Sequence, residues 1–128
     1  MAVDQTQRDH PDILLVGLAC VDITSYVDRF PDEDECARST KQTIRRGGNA
    51  SNSACVIGLL GGSAGWSGTL GKESDPMAAL VVDDLKGFGV FPCHCVSHDA
   101  QQPVASIIVN QSKATRTIIL NNQLPELS

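Results

Sequence analysis

The stretch Arg45-Arg46-Gly47-Gly48-Asn49-Ala50-Ser51-Asn52 holds the residue types that a polar ligand needs. Glycines ahead of a helix start leave backbone N–H groups open and permit close approach. Asn49 and Asn52, three apart, share one face of the first turn. A carboxamide donates and accepts together, as a sugar hydroxyl does, so Gly48, Asn49 and Asn52 are candidate polyol ligands. The plainer use of the same residues is a helix cap and a turn, and the motif alone does not choose. Asp22 follows the apolar run 13–21 and reads as the C-terminal end of the first strand, where ligands of open α/β sheets sit. Its carboxylate can accept from two neighbouring hydroxyls; its ordinary role would be a strand-end turn. Asp34, in the acidic turn DEDE, is the second candidate acid, against the usual fate of such a run as solvated charge.

The elements that must position these residues follow from hydrophobic pattern. ILLVGLACV is nearly continuously apolar and branched, as in a strand covered on both faces of a parallel sheet. ITSYV continues extended, and CARSTKQTI over 36–44 fits a solvated strand, so residues of about 23–46 form a candidate lid. In NASNSACVIGLL the apolar residues fall nearly all round, which predicts a buried helix ended by Gly61 and Gly62. A second strand is expected between Gly65 and Gly71. Asp75-Pro76 then caps a helix whose Met77, Leu80, Val81, Leu85 and Phe88 recur at helical spacing, stopped by Gly87 and Gly89. Residues 90–96 extend again, and VASIIVN and TRTIIL flank a short loop as an antiparallel hairpin. This order is α/β with a polar excursion early on. The 1–12 segment is polar and expected to be disordered, and 13–128 reads as part of one larger domain whose sheet lacks further crossovers.

Composition narrows the function classes. At 128 residues the chain has room for one domain that buries roughly two-thirds of its unfolded surface. A formal charge of -5 offers no basic field for nucleic acid or anionic lipid. The run 13–21 is far short of the ~20 residues that span a membrane, and the polar N-terminus contradicts a secretory signal. Five cysteines, an odd count in apolar surroundings, suit reduced thiols and a cytoplasmic setting. Cys93-His94-Cys95 with His98 has zinc-ligand types, but in loose geometry that favours strand packing. The triplets at Asn49 and Asn110 fit the glycosylation pattern by coincidence, and no GxGxxG turn is present.

By virtue of Asp22, the lid, RRGGNASNSACVIGLLGG, GTLGKESDP, LVVDDL and TRTIILNN, the chain resembles the amino-terminal half of a ribokinase-like, PfkB-type carbohydrate kinase. Within that family it is most similar to the fructose-phosphorylating members, almost throughout 13–127. The resemblance implies a ribokinase-like α/β fold: a partial parallel sheet with flanking helices and a β-rich lid, the carboxyl-terminal half being absent. It implies transfer of the ATP γ-phosphoryl group, with Mg2+, to a fructose hydroxyl, and a homodimer paired through the lid. It leaves open whether a monovalent cation assists. Asp22, Asp34, Gly48, Asn49 and Asn52 match positions that hold the sugar, and Arg116 matches a residue reaching toward the nucleotide phosphates, where a guanidinium offsets developing charge. The family's catalytic Asp lies in a DTxGAGD-like motif that this sequence does not contain, so the chain alone is expected to be inactive. The alternatives are a non-catalytic product that pairs with full-length subunits, and a ribose or nucleoside kinase relative.

Overall fold

The computed structural model describes residues 10–126; most of the 1–12 segment lies outside the described residues. Three parallel strands, β1 (Ile13–Val16), β4 (Ala64–Ser67) and β6 (Phe91–Pro92), form the core sheet in the order β1-β4-β6. Between them run β2 (Cys20–Val27), β3 (Lys41–Gly47), helix α1 (Asn49–Leu59), β5 (Thr69–Leu70) and helix α2 (Pro76–Gly87). β7 (Val96–Ser97) pairs parallel with β5, and β8 (Val104–Asn110) and β9 (Thr115–Asn121) form the expected hairpin. The architecture is the anticipated α/β arrangement of parallel sheet, flanking helices and β-rich lid.

The apolar run 13–21 is two strands rather than one. β1 pairs with β4 in register from Ile13↔Ala64 to Val16↔Ser67, and the chain then turns at Gly17. A Cβ on Gly17 would lie 2.9 Å from the Ala50 Cβ, so only glycine lets α1 pack this close to the turn. Beyond the turn β2 enters a different sheet, of order β3-β2-β8-β9. The lid is therefore four-stranded: the hairpin extends it by parallel pairing of β8 with β2, a long-range pairing that local pattern does not show. The solvated strand expected over 36–44 begins only at Lys41 and continues to Gly47. The preceding turn is organised locally, with Arg29 donating to Glu35 at 2.6 Å and the Asp32 N–H donating to the other Glu35 oxygen at 2.8 Å. These two bonds, the backbone one first, hold the Glu35 carboxyl below its ordinary value. Residues 90–96 are likewise interrupted, because His94 takes φ 51 between β6 and β7.

Trp66, Val81, Leu85, Val90 and Val21 are fully buried and form the centre of the core, where each such side chain contributes about 1.5–3 kcal/mol. Both helices end as their glycines predict. Gly61 and Gly89 take positive φ, and the Gly62 and Val90 N–H groups donate back to the carbonyls of Ile57 and Leu85, satisfying the last turns. α1 is not buried all round, however. Ser51, Ala54 and Cys55 face the core, whereas Val56 and Leu59 are 53% and 71% exposed, since nothing among the described residues covers that face. Where lid meets core, the buried Gln102 donates to the Ala19 carbonyl at 2.9 Å and accepts from the Gly71 N–H at 2.8 Å.

Candidate functional site

Strand register decides which side chains share a face. Cross-strand partners point to the same side of a sheet and alternate residues to opposite sides. Arg45, Asp22, Ala105 and Leu120 form one row of the lid; two residues along come Thr43, Thr24, Ile107 and Ile118; then Lys41, Tyr26, Val109 and Arg116. Asp22 and Arg116 thus share a face, roughly 16 Å apart along the diagonal from strand rise and spacing. Val21 and Arg46 belong to the opposite face. Asp22 is the third residue of β2, not the end of a core strand; the turn at Gly17 transfers it to the lid.

Gly47 is the pivot of the corner where β3 passes into α1. A Cβ there would lie within 2.4–2.6 Å of the Asp22 carboxyl atoms, so the carboxylate rests directly against the Gly47 backbone. The next residue, Gly48, has φ 104, and a Cβ on it would fall 2.2 Å from the Leu18 carbonyl oxygen. Gly48 is the N-cap of α1 with no side-chain cap bond, and Asn49 is the first helical residue. The plain capping role considered for Asn49 is therefore not the one it fills. Asn49 and Asn52 are both exposed at the first turn, one residue and four residues past the cap.

A buried guanidinium organises the other side of the pivot. Arg46, with its side chain only 6% exposed, donates to Asp84 of α2 at 2.7 Å, to the Ser51 hydroxyl at 2.7 Å and to Oδ1 of Asn52 at 2.8 Å. Ser51 in turn donates to the carbonyls of Gly47 and Gly48, at 2.8 and 3.0 Å. Cys20, opposite Gly47 in the register, donates its thiol to Oδ1 of Asp22 at 3.4 Å. Burial pushes the Cys20 thiol from 9.0 up to about 12; the Asp22 charge and this hydrogen bond add to the rise, and Arg46 opposes it. The carboxylate and the guanidinium therefore flank the same thiol. Burial also raises Cys55 and Cys95, so these thiols stay protonated at neutral pH.

The structure rests Asp22 against Gly47 and sets Gly48, Asn49 and Asn52 on the cap and first turn of α1 that follow it. It leaves Asp34 outside, exposed and at φ 60 in the connection between the far ends of β2 and β3. Arg116 is exposed on β9, on Asp22's face but two strands away. Four contributors were not among the candidates read from sequence: Gly47, Cys20, Arg46 and Ser51. Gly47 could have been found as the first of the paired glycines; the others act through contacts between distant elements. A groove of about 640 Å³ between β3 and α2, lined by Ile44, Arg46, Leu80, Asp84 and Phe88 among others, lies on the Arg46 side rather than at Asp22. Among the described residues no group of three or more His, Cys, Asp or Glu could hold a metal ion, and Cys93 and Cys95 donate to backbone carbonyls. No helix among them is long and apolar enough to cross a membrane.

An acid and two carboxamides around a glycine-opened helix start are suited to gripping hydroxyls. Residues 10–126 match the pfkB family of carbohydrate kinases over nearly the whole chain. The chain belongs to that family. It is 38% identical to ketohexokinase from Mus musculus over 94% of its own length, and spans 40% of the length of that enzyme. Ribokinase from Giardia lamblia superposes with a TM-score of 0.76 at 22% identity, covering 88% of this chain and 36% of that one. Ribokinase from Arabidopsis thaliana, complexed with ribose and ATP, superposes with a TM-score of 0.74 at 24% identity, over 87% and 36% respectively. This pfkB-family chain therefore has the ribokinase-like fold in its core sheet, helices and lid.

Proposed function

We propose that this chain is the sugar-holding portion of an ATP-dependent carbohydrate kinase whose acceptor is fructose. The observation that carries the reading is the corner itself: the Asp22 carboxylate lies against Gly47, two residues before the uncapped start of α1 that presents Asn49 and Asn52. Asp22 accepts from sugar hydroxyls, the carboxamides meet neighbouring ones, and Gly48 keeps the backbone open for close approach. The likeness to ketohexokinase supports a ketohexose over other polyols.

Arg116 is assigned to the nucleotide. An exposed guanidinium on the sugar-facing side of the lid fits a phosphate, and there it would offset charge gathering on the transferring group. ATP, accompanied by Mg2+, supplies the phosphoryl group; among the described residues no group of three or more His, Cys, Asp or Glu is placed to hold a metal ion. Asp34 enters the reading only through a lid-paired homodimer, in which its exposed connection is open to a second copy. Ile118 and Leu120, each about half exposed on the lid, support such pairing. Sedimentation equilibrium should give a dimer, and a monomer at all concentrations would remove it.

These residues position a sugar; the Asp that takes the hydroxyl proton in the family lies in a DTxGAGD-like motif that this sequence does not contain, so the 128-residue chain is proposed to bind without turning over. Titration calorimetry with fructose should give an affinity at least about tenfold weaker for Asp22→Asn than for the natural chain, the cost of losing one charged acceptor. Equal affinities would remove Asp22 from the site, and ATP-dependent fructose phosphate formation by the chain alone would overturn the claim of inactivity. Ribose is the second acceptor to try, because the Arabidopsis relative is complexed with that sugar. Tighter binding of ribose than fructose would exchange the two.

A further inference from the structure

The Asn52 carboxamide is not free to act in both hydrogen-bonding senses. Its Oδ1 accepts from Arg46 at 2.8 Å, and a guanidinium has only donors, so the carbonyl oxygen must be the atom turned toward Arg46. What Asn52, an exposed residue, can still offer a ligand is its amide N–H pair. Arg46 in turn has nowhere else to go. It is nearly fully buried, its Nε is held by Asp84 of α2, and its NH1 is shared between Ser51 and Asn52. Ser51 accepts from Arg46 and directs its own proton to the Gly47 and Gly48 carbonyls. The fork therefore spans β3, α1 and α2 and, through Ser51, reaches the backbone of the pivot and of the residue after it.

We propose that Arg46 is a positioning residue that commits Asn52 to donating, so that the corner meets a sugar with one acceptor-only group, Asp22, and one donor-only group, Asn52. This rests on the reading of the corner as a sugar site. A ligand hydroxyl that donates a hydrogen bond to Asp22 keeps its lone pairs for Asn52. The balance of charge supports the arrangement: Asp84 neutralises the buried guanidinium from the far side, which leaves the Asp22 carboxylate available to ligand. A lysine in place of Arg46 would keep the charge but not the planar fork that reaches three partners at once.

The test uses the 128-residue chain in three forms: natural, Asn52→Asp and Arg46→Lys. Asn52→Asp keeps an acceptor for Arg46, deletes the donor and adds a negative charge that Arg46 can pair with. It should melt at the same temperature or higher while fructose affinity in calorimetry falls at least about tenfold; affinity equal to the natural chain overturns the proposal. Arg46→Lys is read without any sugar, from the side-chain amide resonances of Asn52 in a nitrogen-15 NMR spectrum. The expected result is loss of the distinct, dispersed pair in favour of averaged positions typical of an exposed asparagine. Unchanged resonances overturn the positioning role. Should the natural chain bind no sugar at all, the functional reading falls, while the NMR comparison still decides whether Arg46 fixes Asn52.

Discussion

The two helices begin in opposite ways, one capped by a side chain and one not. α2 starts on Asp75, whose Oδ1 accepts from the Met77 N–H at 2.9 Å and whose Oδ2 accepts from the Gln102 N–H at 2.8 Å, with Pro76 in the first helical position. Its first turn is closed by the chain's own atoms. α1 starts on Gly48, which carries no side chain to cap with, one residue after the Gly47 backbone on which the Asp22 carboxylate rests. The same chain thus makes a helix start that is finished internally and another that is left for something else. The second is feasible only because two glycines admit contacts that a Cβ would forbid.

The contrast can be broken most severely at Gly48. Gly48→Val places a Cβ on the Leu18 carbonyl oxygen at a φ that a branched residue rarely adopts, and should cost more than about 3 kcal/mol in denaturant unfolding. A loss under about 1 kcal/mol would mean that the corner yields easily and is not held by backbone contact. Alkaline pH attacks the same corner next. Because the folded Cys20 thiol is raised from 9.0 to about 12, its contribution is fully present below pH 9 and is lost as pH rises toward 12. Cys20→Ala should flatten that part of a stability-versus-pH curve; a slope identical to the natural chain would show that another group is responsible.

At the closed start the expected effect is smaller. Asp75→Ala deletes a cap and a second hydrogen bond and should lower stability by about 1–2 kcal/mol, with fructose affinity unchanged in the folded fraction. Asn49→Ala should do the reverse. Its stability should stay within about 0.5 kcal/mol of the natural chain, since Asn49 caps nothing, while calorimetry shows fructose affinity reduced about tenfold. If Asn49→Ala destabilised the chain as much as Asp75→Ala, the contrast between the two starts would collapse.

Much of this is legible in the sequence where the signal is local. Asp75-Pro76 caps a helix wherever it folds, Gly61 and Gly89 end helices because only a residue without Cβ takes positive φ cheaply, and the 104–121 hairpin follows from two β-branched runs around a short loop. Asp22, Gly48, Asn49 and Asn52 stand out by type and spacing; the fold rests Asp22 against Gly47 and sets the other three on the cap and first turn of α1 that follow it. The run 13–21 misleads because a continuous apolar stretch gives no sign of a change of sheet; the turn at Gly17 depends on Ala50 arriving from another element.

Short-range commitments are thus written in residue order alone: which segments are strands or helices, where helices stop, and which polar types stand beside the paired glycines. Who faces whom is settled only on folding. The register of β2 against β3 and β8 put Asp22 and Arg116 on one face and Arg46 on the other. The packing of α2 brought Asp84 to Arg46, and the guanidinium so held donates to the Asn52 oxygen. Hydrogen-bond direction and sheet face depend on partners far away along the chain, and no local pattern carries them.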